Sequence, residues 1–212
     1  MKALSDLERL NNYDIILASA SPRRSFLLEE LGLKFKTVTN NEIKESFPEH
    51  LIAGDIPLYL AKLKARSFTS LLKEKTLLIT ADTIVWLNNE LIGKPRDTEE
   101  AKKMLRNLSG KMHFVYTGVC IASIHKELAF AAESKVHFRH LTDGEIDYYV
   151  KKYKPFDKAG AYGIQEWIGY IGVDRLEGSY FNVMGLPVQK LYSALIHFIE
   201  SEIPRKGVNK QL

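Results

Sequence analysis

The segment between residues 15 and 32 places the strongest local constraint on how this chain folds. Its first part, Ile15-Ile16-Leu17, is a short apolar run typical of a buried strand. Ser21 stands where a helix N-cap belongs, and Pro22 follows at the first helical position. Apolar residues then recur at helical spacing, and Gly32 suits the position just after a helix C-terminus. The segment therefore predicts a strand, a tight loop and a helix in immediate succession.

The same loop and first helical turn carry side chains that suit a phosphate, namely Ser19, Ser21, Arg23 and Arg24. Cations at a helix N-terminus are unfavourable, because that end already carries partial positive charge. Free amides, hydroxyls and guanidinium groups would converge on one spot, where they could bind an anion. The alternative is a well-capped helix whose two arginines point to water, and this segment alone leaves both interpretations open.

The charge distribution argues against a nucleic-acid partner. The formal charge of the 212 residues is +4, of which Arg205, Lys206 and Lys210 near the C-terminus contribute +3. The rest of the chain is therefore close to neutral and carries no basic stripe of the kind that binds duplexes. With 45% hydrophobic and 26% charged residues, the composition is that of an ordinary soluble globule.

Cysteine usage and the N-terminal sequence bear on the kinds of site and the cellular location expected for the chain. Cys120 is the only cysteine, so neither an internal disulfide nor a thiolate zinc site is predicted. We find no signal-peptide apolar region and no apolar run of membrane-spanning length. These observations favour a cytoplasmic protein without a membrane partner.

Asp82 interrupts an otherwise apolar stretch of strand sequence between Thr76 and Trp86. Aspartate is a poor strand residue, and burying its charge without a partner is unfavourable. We therefore expect Asp82 at the end of the strand, at the mouth of a cleft, with a cation or hydrogen-bond donors nearby. An Asx-turn or helix cap is the alternative, but apolar β sequence resumes after Thr83 with no evident helix to cap.

Two lysines stand in unusual places. Pro57 opens a helix on which Lys64 lies between Ala61 and Phe68, on the arc that faces the core. Its stem either snorkels past the apolar surface, or its ammonium group reaches a buried anion. Lys94 lies between a glycine and a proline, on a restricted backbone that could aim it into the same cleft.

The remaining sequence alternates strand, turn and helix signals. Asn88-Asn89 suggests a hairpin turn, and residues 113–124 and 128–138 alternate like paired antiparallel strands. Six of the thirteen glycines fall between residues 155 and 187, a density that indicates close approach of the backbone to a ligand or a strand. They form neither a G-x-G-x-x-G nor a Walker A pattern, so no Rossmann or P-loop site is predicted.

Cations and carboxylates without thiols favour a site for a phosphate and a hard metal ion. The candidate carboxylates are Asp82, Glu45 and Asp157. Mg²⁺ or Mn²⁺ held by carboxylate and phosphate oxygens fits this set.

Six short motifs occur here in the order in which they occur in a known family. They are Ser19-Ala20-Ser21-Pro22-Arg23-Arg24, Ala81-Asp82-Thr83-Ile84-Val85, Gly93-Lys94-Pro95, Leu108-Ser109-Gly110, the run from Asp157 to Gln165, and Gly178-Ser179-Tyr180 with Gly185-Leu186-Pro187. Each is weak alone, but together they make the chain resemble the Maf family of nucleoside triphosphate pyrophosphatases.

The resemblance implies an α/β fold similar to that of the inosine-triphosphate pyrophosphatases. Such a fold has an elongated mixed β-sheet with flanking helices and two lobes around a central cleft. We accordingly divide the chain into a polar lead-in (residues 1–12), a single two-lobed catalytic domain (residues 13–203) and a basic, disordered tail (residues 204–212).

The resemblance also implies metal-dependent hydrolysis between the α and β phosphates, which releases a nucleoside monophosphate and pyrophosphate. By motif match, Asp82 is the catalytic acid–base residue, and Asp82 with Glu45 would hold Mg²⁺ or Mn²⁺. The matched substrate-binding positions are Ser19, Ser21, Arg23, Arg24, Lys64, Thr83, Lys94 and Gln165. The sequence departs from the family at Lys44, where many members carry an acidic residue. This departure weakens the assignment of two neighbouring acidic residues in this loop as a metal-binding pair.

Gln165 predicts the substrate within that family, whose members prefer either dTTP and UTP or 7-methyl-GTP. At Gln165 this chain resembles the members that prefer dTTP and UTP, whereas the members that take 7-methyl-GTP tend to carry glutamate at this position. An amide both donates and accepts, which matches the O4 acceptor and N3–H donor of thymine or uracil. We therefore expect dTTP and UTP as substrates.

The alternative functions are 7-methyl-GTP pyrophosphatase activity and a nucleotide-binding regulator of septum formation. A homodimer is an open prediction.

Overall fold

The computed structural model describes residues 5–40 and 43–202. Within these residues the strands are β1 (Asp14–Ala18), β2 (Phe35–Val38), β3 (Thr76–Leu87), β4 (Glu90–Ile92), β5 (Met112–Ala122), β6 (Glu127–Phe138) and β7 (Val173–Gly178). They form one mixed sheet in the order β2-β1-β3-β5-β6-β7, with β4 paired to β3. β1 pairs in parallel with β2 and β3, and the other pairs in this sheet are antiparallel.

Helices flank this sheet. They are α1 (Asp6–Leu10), α2 (Pro22–Glu30), α3 (Asp55–Arg66), α4 (Thr98–Leu108), α5 (Asp143–Tyr153), α6 (Trp167–Gly172), α7 (Tyr180–Met184) and α8 (Val188–Glu202). The mixed sheet with flanking helices confirms the predicted fold class. No helix in the described part of the chain is both long and apolar enough to cross a bilayer.

The two faces of β3 pack against different helices. Leu77 and Ile79 belong to the large core that includes residues of α2, α4, α5 and α8, whereas Leu78 packs with Ala61 and Ala65 of α3. This alternation is the period-2 pattern of a strand that is buried on both faces. Even-numbered residues of β3 therefore face α3.

Gly118 on β5 lets α3 approach the sheet closely. A Cβ at this position would come within 2.2 Å of the carbonyl oxygen of Pro57, a separation that no side chain can occupy. Gly118 pairs directly with Asp82 on β3. Because Gly118 has no side chain, α3, the helix that carries Lys64, can lie over the centre of β3.

The segment from β1 to α2 forms as predicted, with one difference. α2 begins at Pro22 with Ser21 at the N-cap, and Gly32 follows the helix at φ +74°. The Ser21 side chain makes no capping hydrogen bond, and the Ser21 N–H instead donates to Ser19 Oγ at 3.2 Å. The two serines therefore shape the loop rather than cap the helix.

A short helix lies within residues 1–12, which the sequence analysis treats as a polar lead-in. Ser5 and Glu8 form a reciprocal capping box at the start of α1, and Leu10 is fully buried in the core. Helix α3 likewise starts at Asp55, two residues before the predicted opening at Pro57. The predicted disordered tail, residues 204–212, lies outside the described residues.

Candidate active site

Two adjoining cavities, of about 460 Å³ and about 110 Å³, lie beside the C-terminal end of β1. Both are lined by Ser21, Arg23, Arg24, Lys64, Lys94 and Asp157. The larger adds Ser19 and Glu45, and the smaller adds Asp82, Thr83 and Gln165. Every residue that the sequence analysis proposes for the site therefore lines a single cleft.

The Lys64 ammonium group lies between two carboxylates of this cleft. Its Nζ atom is 2.6 Å from Asp82 Oδ1 and 2.9 Å from Glu45 Oε1. The Lys64 and Asp82 side chains are only 14% and 12% exposed. Lys64 thus reaches a buried anion, and the snorkelling alternative is wrong.

Asp82 lies in the middle of a strand, so its predicted place at the strand end is wrong. β5 pairs with β3 continuously from Leu78 to Trp86, which keeps the backbone of Asp82 within the ladder. On its other side, β3 pairs with β1, and this pairing stops at Ala18 opposite Thr80. The Asp82 carboxylate therefore lies on rigid backbone, just beyond the end of β1, and it faces α3.

Arg24 fastens the loop after β1 to two other parts of the chain. Its Nε–H donates to the carbonyl of Gly185 at 2.9 Å, and one Nη donates to the carbonyl of Ala81 at 2.8 Å. The other Nη donates to Thr83 Oγ1 at 3.0 Å. Burial lowers the pKa of Arg24, against an opposing contribution from Asp82. Because these bonds occupy most of its N–H donors, Arg24 anchors the loop and has little left to offer a ligand.

Arg23 reaches across the cleft to the glycine-rich segment. Its Nη1 donates to Asp157 Oδ2 at 2.8 Å. Burial raises the pKa of Asp157, but hydrogen bonds from Lys158 and Arg23 outweigh it and bring the pKa below its ordinary value. With Arg24 half-buried and bonded to Gly185, Ala81 and Thr83, and Arg23 paired with Asp157, the alternative in which both arginines point to water is wrong.

Lys94 and Gln165 each present a free polar group to the cleft. Lys94 is exposed, lines both cavities and makes no ion pair with the described residues. The Oε1 atom of Gln165 is buried and has no hydrogen-bond partner within the described chain. A buried acceptor without a partner is unfavourable unless a ligand donates to it.

Comparison with known proteins identifies the family. The sequence profile of the family described as Maf-like protein matches residues 14–198. The chain belongs to the Maf-like family. A relative from Phocaeicola vulgatus named dTTP/UTP pyrophosphatase is 53% identical over 89% of this chain and 98% of its own length. A second of the same name, from Porphyromonas gingivalis, is 51% identical over 92% of this chain and 99% of its own length.

Among solved structures, that of a HAM1 protein from Coxiella burnetii superposes on 87% of this chain and matches over 99% of its own length. The two chains are 15% identical in sequence, and the TM-score of the superposition is 0.47.

The residues present in this Maf-like protein fit a divalent cation bound partly by substrate. Within residues 5–40 and 43–202, no three His, Cys, Asp or Glu side chains form a preformed metal cage. Asp82 and Glu45, however, both contact one ammonium group, so their carboxylates are close to each other. Mg²⁺ is typically held by one or two carboxylates together with substrate phosphates and water, which matches this donor set.

Sequence reasoning missed two polar residues around the cleft of this Maf-like protein, Lys158 and Thr117. Lys158 is 8% exposed and pairs with Asp157 and Glu166, while Thr117 bonds to Thr83 at 2.9 Å. The signal for Lys158 was its place between Asp157 and the glycines of residues 160–163. Nothing in the local sequence pointed to Thr117, because its role depends on the register of β3 and β5.

Proposed function

We propose that this Maf-like protein is a nucleoside triphosphate pyrophosphatase that hydrolyses dTTP and UTP to the nucleoside monophosphate and pyrophosphate. The observation that carries the proposal is the nearly buried Asp82–Lys64 pair, with Glu45 as the second carboxylate on Lys64, in a cleft that also contains Arg23 and Lys94. A triphosphate brings negative charge that these cations can bind. A buried carboxylate beside it can serve as a general base.

The chemical step is an attack of water on the α-phosphorus. As the new P–O bond forms, the bond from the α-phosphorus to the bridging oxygen breaks and pyrophosphate leaves. Asp82 accepts the proton of the attacking water and later returns it to solvent. Lys64 and Lys94 stabilise the charge that develops on the leaving pyrophosphate. Each of these groups lines the smaller cavity.

A divalent cation, Mg²⁺ or Mn²⁺, belongs to the proposal. Asp82 and Glu45 would hold it together with phosphate oxygens of the substrate. When bound, such an ion neutralises phosphate charge and makes the α-phosphorus more electrophilic. We expect chelation with EDTA to abolish turnover and added Mg²⁺ to restore it.

Gln165 supports a pyrimidine substrate. Its unpartnered Oε1 could accept from the N3–H of thymine or uracil, and its Nε2 could donate to O4. Two relatives over 50% identical carry the name dTTP/UTP pyrophosphatase. A glutamate here would only accept, so Gln165→Glu should lower kcat/KM for dTTP and UTP.

The test is product analysis with the purified protein and six nucleotides: dTTP, UTP, dCTP, dATP, dGTP and 7-methyl-GTP. We expect dTMP or UMP with one equivalent of pyrophosphate, and the highest kcat/KM for dTTP and UTP. A preference for 7-methyl-GTP would contradict the substrate assignment. Tight binding of nucleotides without product would favour a nucleotide-binding regulator instead.

Two further predictions are a homodimer, which a measurement of the mass in solution tests, and a cytoplasmic location, which cell fractionation tests.

A further inference from the structure

A single buried lysine ties together the two ends of the segment 157–166. The Nζ atom of Lys158 lies 2.8 Å from Asp157 Oδ1 and 3.1 Å from Glu166 Oε1. The Lys158 side chain is 9% exposed, whereas Asp157 opens into the cleft at 55%. Lysine is seldom buried without paired carboxylates, and here one ammonium group serves two of them.

Tyr149 extends this contact into the core of the protein. It is fully buried on α5, and its hydroxyl donates to the second carboxylate oxygen of Glu166. The same hydroxyl oxygen accepts from the backbone N–H of Gly163 at 3.1 Å. Burial raises the pKa of Tyr149 well above its ordinary value, with Glu166 adding to the effect, so the phenol stays protonated and able to donate.

The segment held in this way carries Asp157 and Gln165, two side chains that line the cleft. At one end, Asp157 binds Arg23 at 2.8 Å. At the other end, Gln165 immediately precedes Glu166 and presents its unpartnered oxygen. Lys158 therefore contacts both Asp157, which binds Arg23, and Glu166, which follows Gln165 in the chain.

We propose that Lys158, together with Glu166 and Tyr149, is the positioning group that sets Gln165 for selection of the base and Arg23 for binding of the triphosphate. The proposal rests on the proposed function, since selection is meaningful only if nucleoside triphosphates are substrates. Lys158 lines the smaller cavity, but its ammonium group is already paired with the two carboxylates. Its effect should therefore fall on discrimination between bases more than on the chemical step.

The first test compares kcat/KM for dTTP and dGTP in the wild-type protein and in Lys158→Met. We expect the dTTP-to-dGTP ratio to fall about tenfold, mainly through the KM for dTTP, while kcat stays within about threefold. In a Gln165→Ala background the same lysine change should alter the ratio little, because the side chain that it positions is already absent. An unchanged ratio, or equal loss for both nucleotides, would overturn the proposal.

Lys126→Met is the matched control. The Lys126 ammonium donates to the carbonyl of Phe198 at 2.6 Å, in a part of the chain that does not line the cleft. Its loss removes the hydrogen bonds of another half-buried lysine without touching the segment 157–166. We expect lower thermal stability and an unchanged dTTP-to-dGTP ratio, and a changed ratio in this control would count against a specific role for Lys158.

A milder variant and a second readout keep the proposal testable if Lys158→Met does not fold. Tyr149→Phe removes one hydroxyl and keeps the ring, so the Gly163 N–H loses its acceptor. We expect faster hydrogen exchange confined to residues 157–166 and a smaller shift of the same ratio. Unchanged exchange there would overturn the proposal. A wild-type protein that hydrolyses no triphosphate would overturn the proposed function, whereas an active one with unaltered selectivity in these variants would overturn only this inference.

Discussion

Lys64 Nζ lies 2.6 Å from Asp82 Oδ1, with both side chains nearly buried. The contact joins α3 to the centre of β3, because Asp82 faces α3 and Gly118 lets that helix approach. Burying a carboxylate without a paired cation is unfavourable, and the Lys64 ammonium group supplies that cation here. The pair therefore links the stability of the fold to the chemistry of the cleft.

Replacing the Asp82 carboxylate should remove catalysis and leave the fold intact. The amide that Asp82→Asn introduces can still accept from Lys64 but cannot take a proton from water. We expect turnover to fall at least about a hundredfold, the usual scale for a general base, with little change in the melting temperature. The same substitution at the exposed Asp174 is the control and should leave turnover unchanged. Near wild-type turnover in folded Asp82→Asn would contradict the role of Asp82.

Lys64→Met should cost both activity and stability, because it leaves the Asp82 carboxylate without its nearest cation. We expect the free energy of unfolding to fall by about 2 kcal/mol, below the value for fully buried pairs because the cleft admits water. Adding Asp82→Asn to Lys64→Met should restore much of the stability but none of the activity. Urea unfolding of the four proteins in this cycle measures the coupling, and strict additivity would rule out a stabilising pair.

Arg24→Lys tests whether the guanidinium anchors the loop after β1. One ammonium group cannot reach the carbonyls of Ala81 and Gly185 and the hydroxyl of Thr83 together. We expect a loss of about 1–3 kcal/mol in unfolding free energy, since buried acceptors lose their donors. Arg66→Lys, at an exposed position on α3, is the control. Equal stability of the two variants would refute the anchoring role.

His113 should make the protein less stable in acid. It is fully buried, donates to or accepts from Tyr162 Oη at 2.8 Å, and burial lowers its pKa from 6.5 to about 3, with a smaller contribution from His137. The unfolded chain therefore binds more protons than the folded one between these values. The free energy of unfolding should fall as pH decreases from 6.5 towards 3, with no effect of this group above 6.5.

A double variant isolates that pH dependence. His113→Leu with Tyr162→Phe removes both polar groups and leaves neither unpaired in the core. Urea unfolding between pH 7 and pH 4 should show a flatter dependence on pH than in the wild type. An identical dependence in both proteins would mean that His113 does not titrate as its burial requires.

The parts of this structure that could be predicted from sequence are those set by local patterns. The strand–loop–helix of residues 14–30 and the turn at Asn88-Asn89 follow from residue types at fixed spacing. The position of Lys64 on a core-facing arc left two alternatives, a snorkelling stem or contact with a buried anion, and the structure shows the second.

Features that depend on contacts between distant segments could not be predicted. Asp82 was expected at a strand end because aspartate disfavours strands, but pairing with β5 overrides that preference. The close approach of α3 at Gly118 and the bonds of Lys158 to Asp157 and Glu166 likewise require the tertiary structure. The local sequence indicates which residue types are present, while their partners depend on the register of the sheet.

The position of water attack tests the central claim most directly. Hydrolysis of dTTP in ¹⁸O-labelled water, followed by mass spectrometry of the products, reports which phosphorus the water attacks. Attack at the α-phosphorus places one ¹⁸O atom in dTMP and none in pyrophosphate, and this is the result we predict. Label in pyrophosphate, or release of labelled orthophosphate with dTDP, would contradict the account.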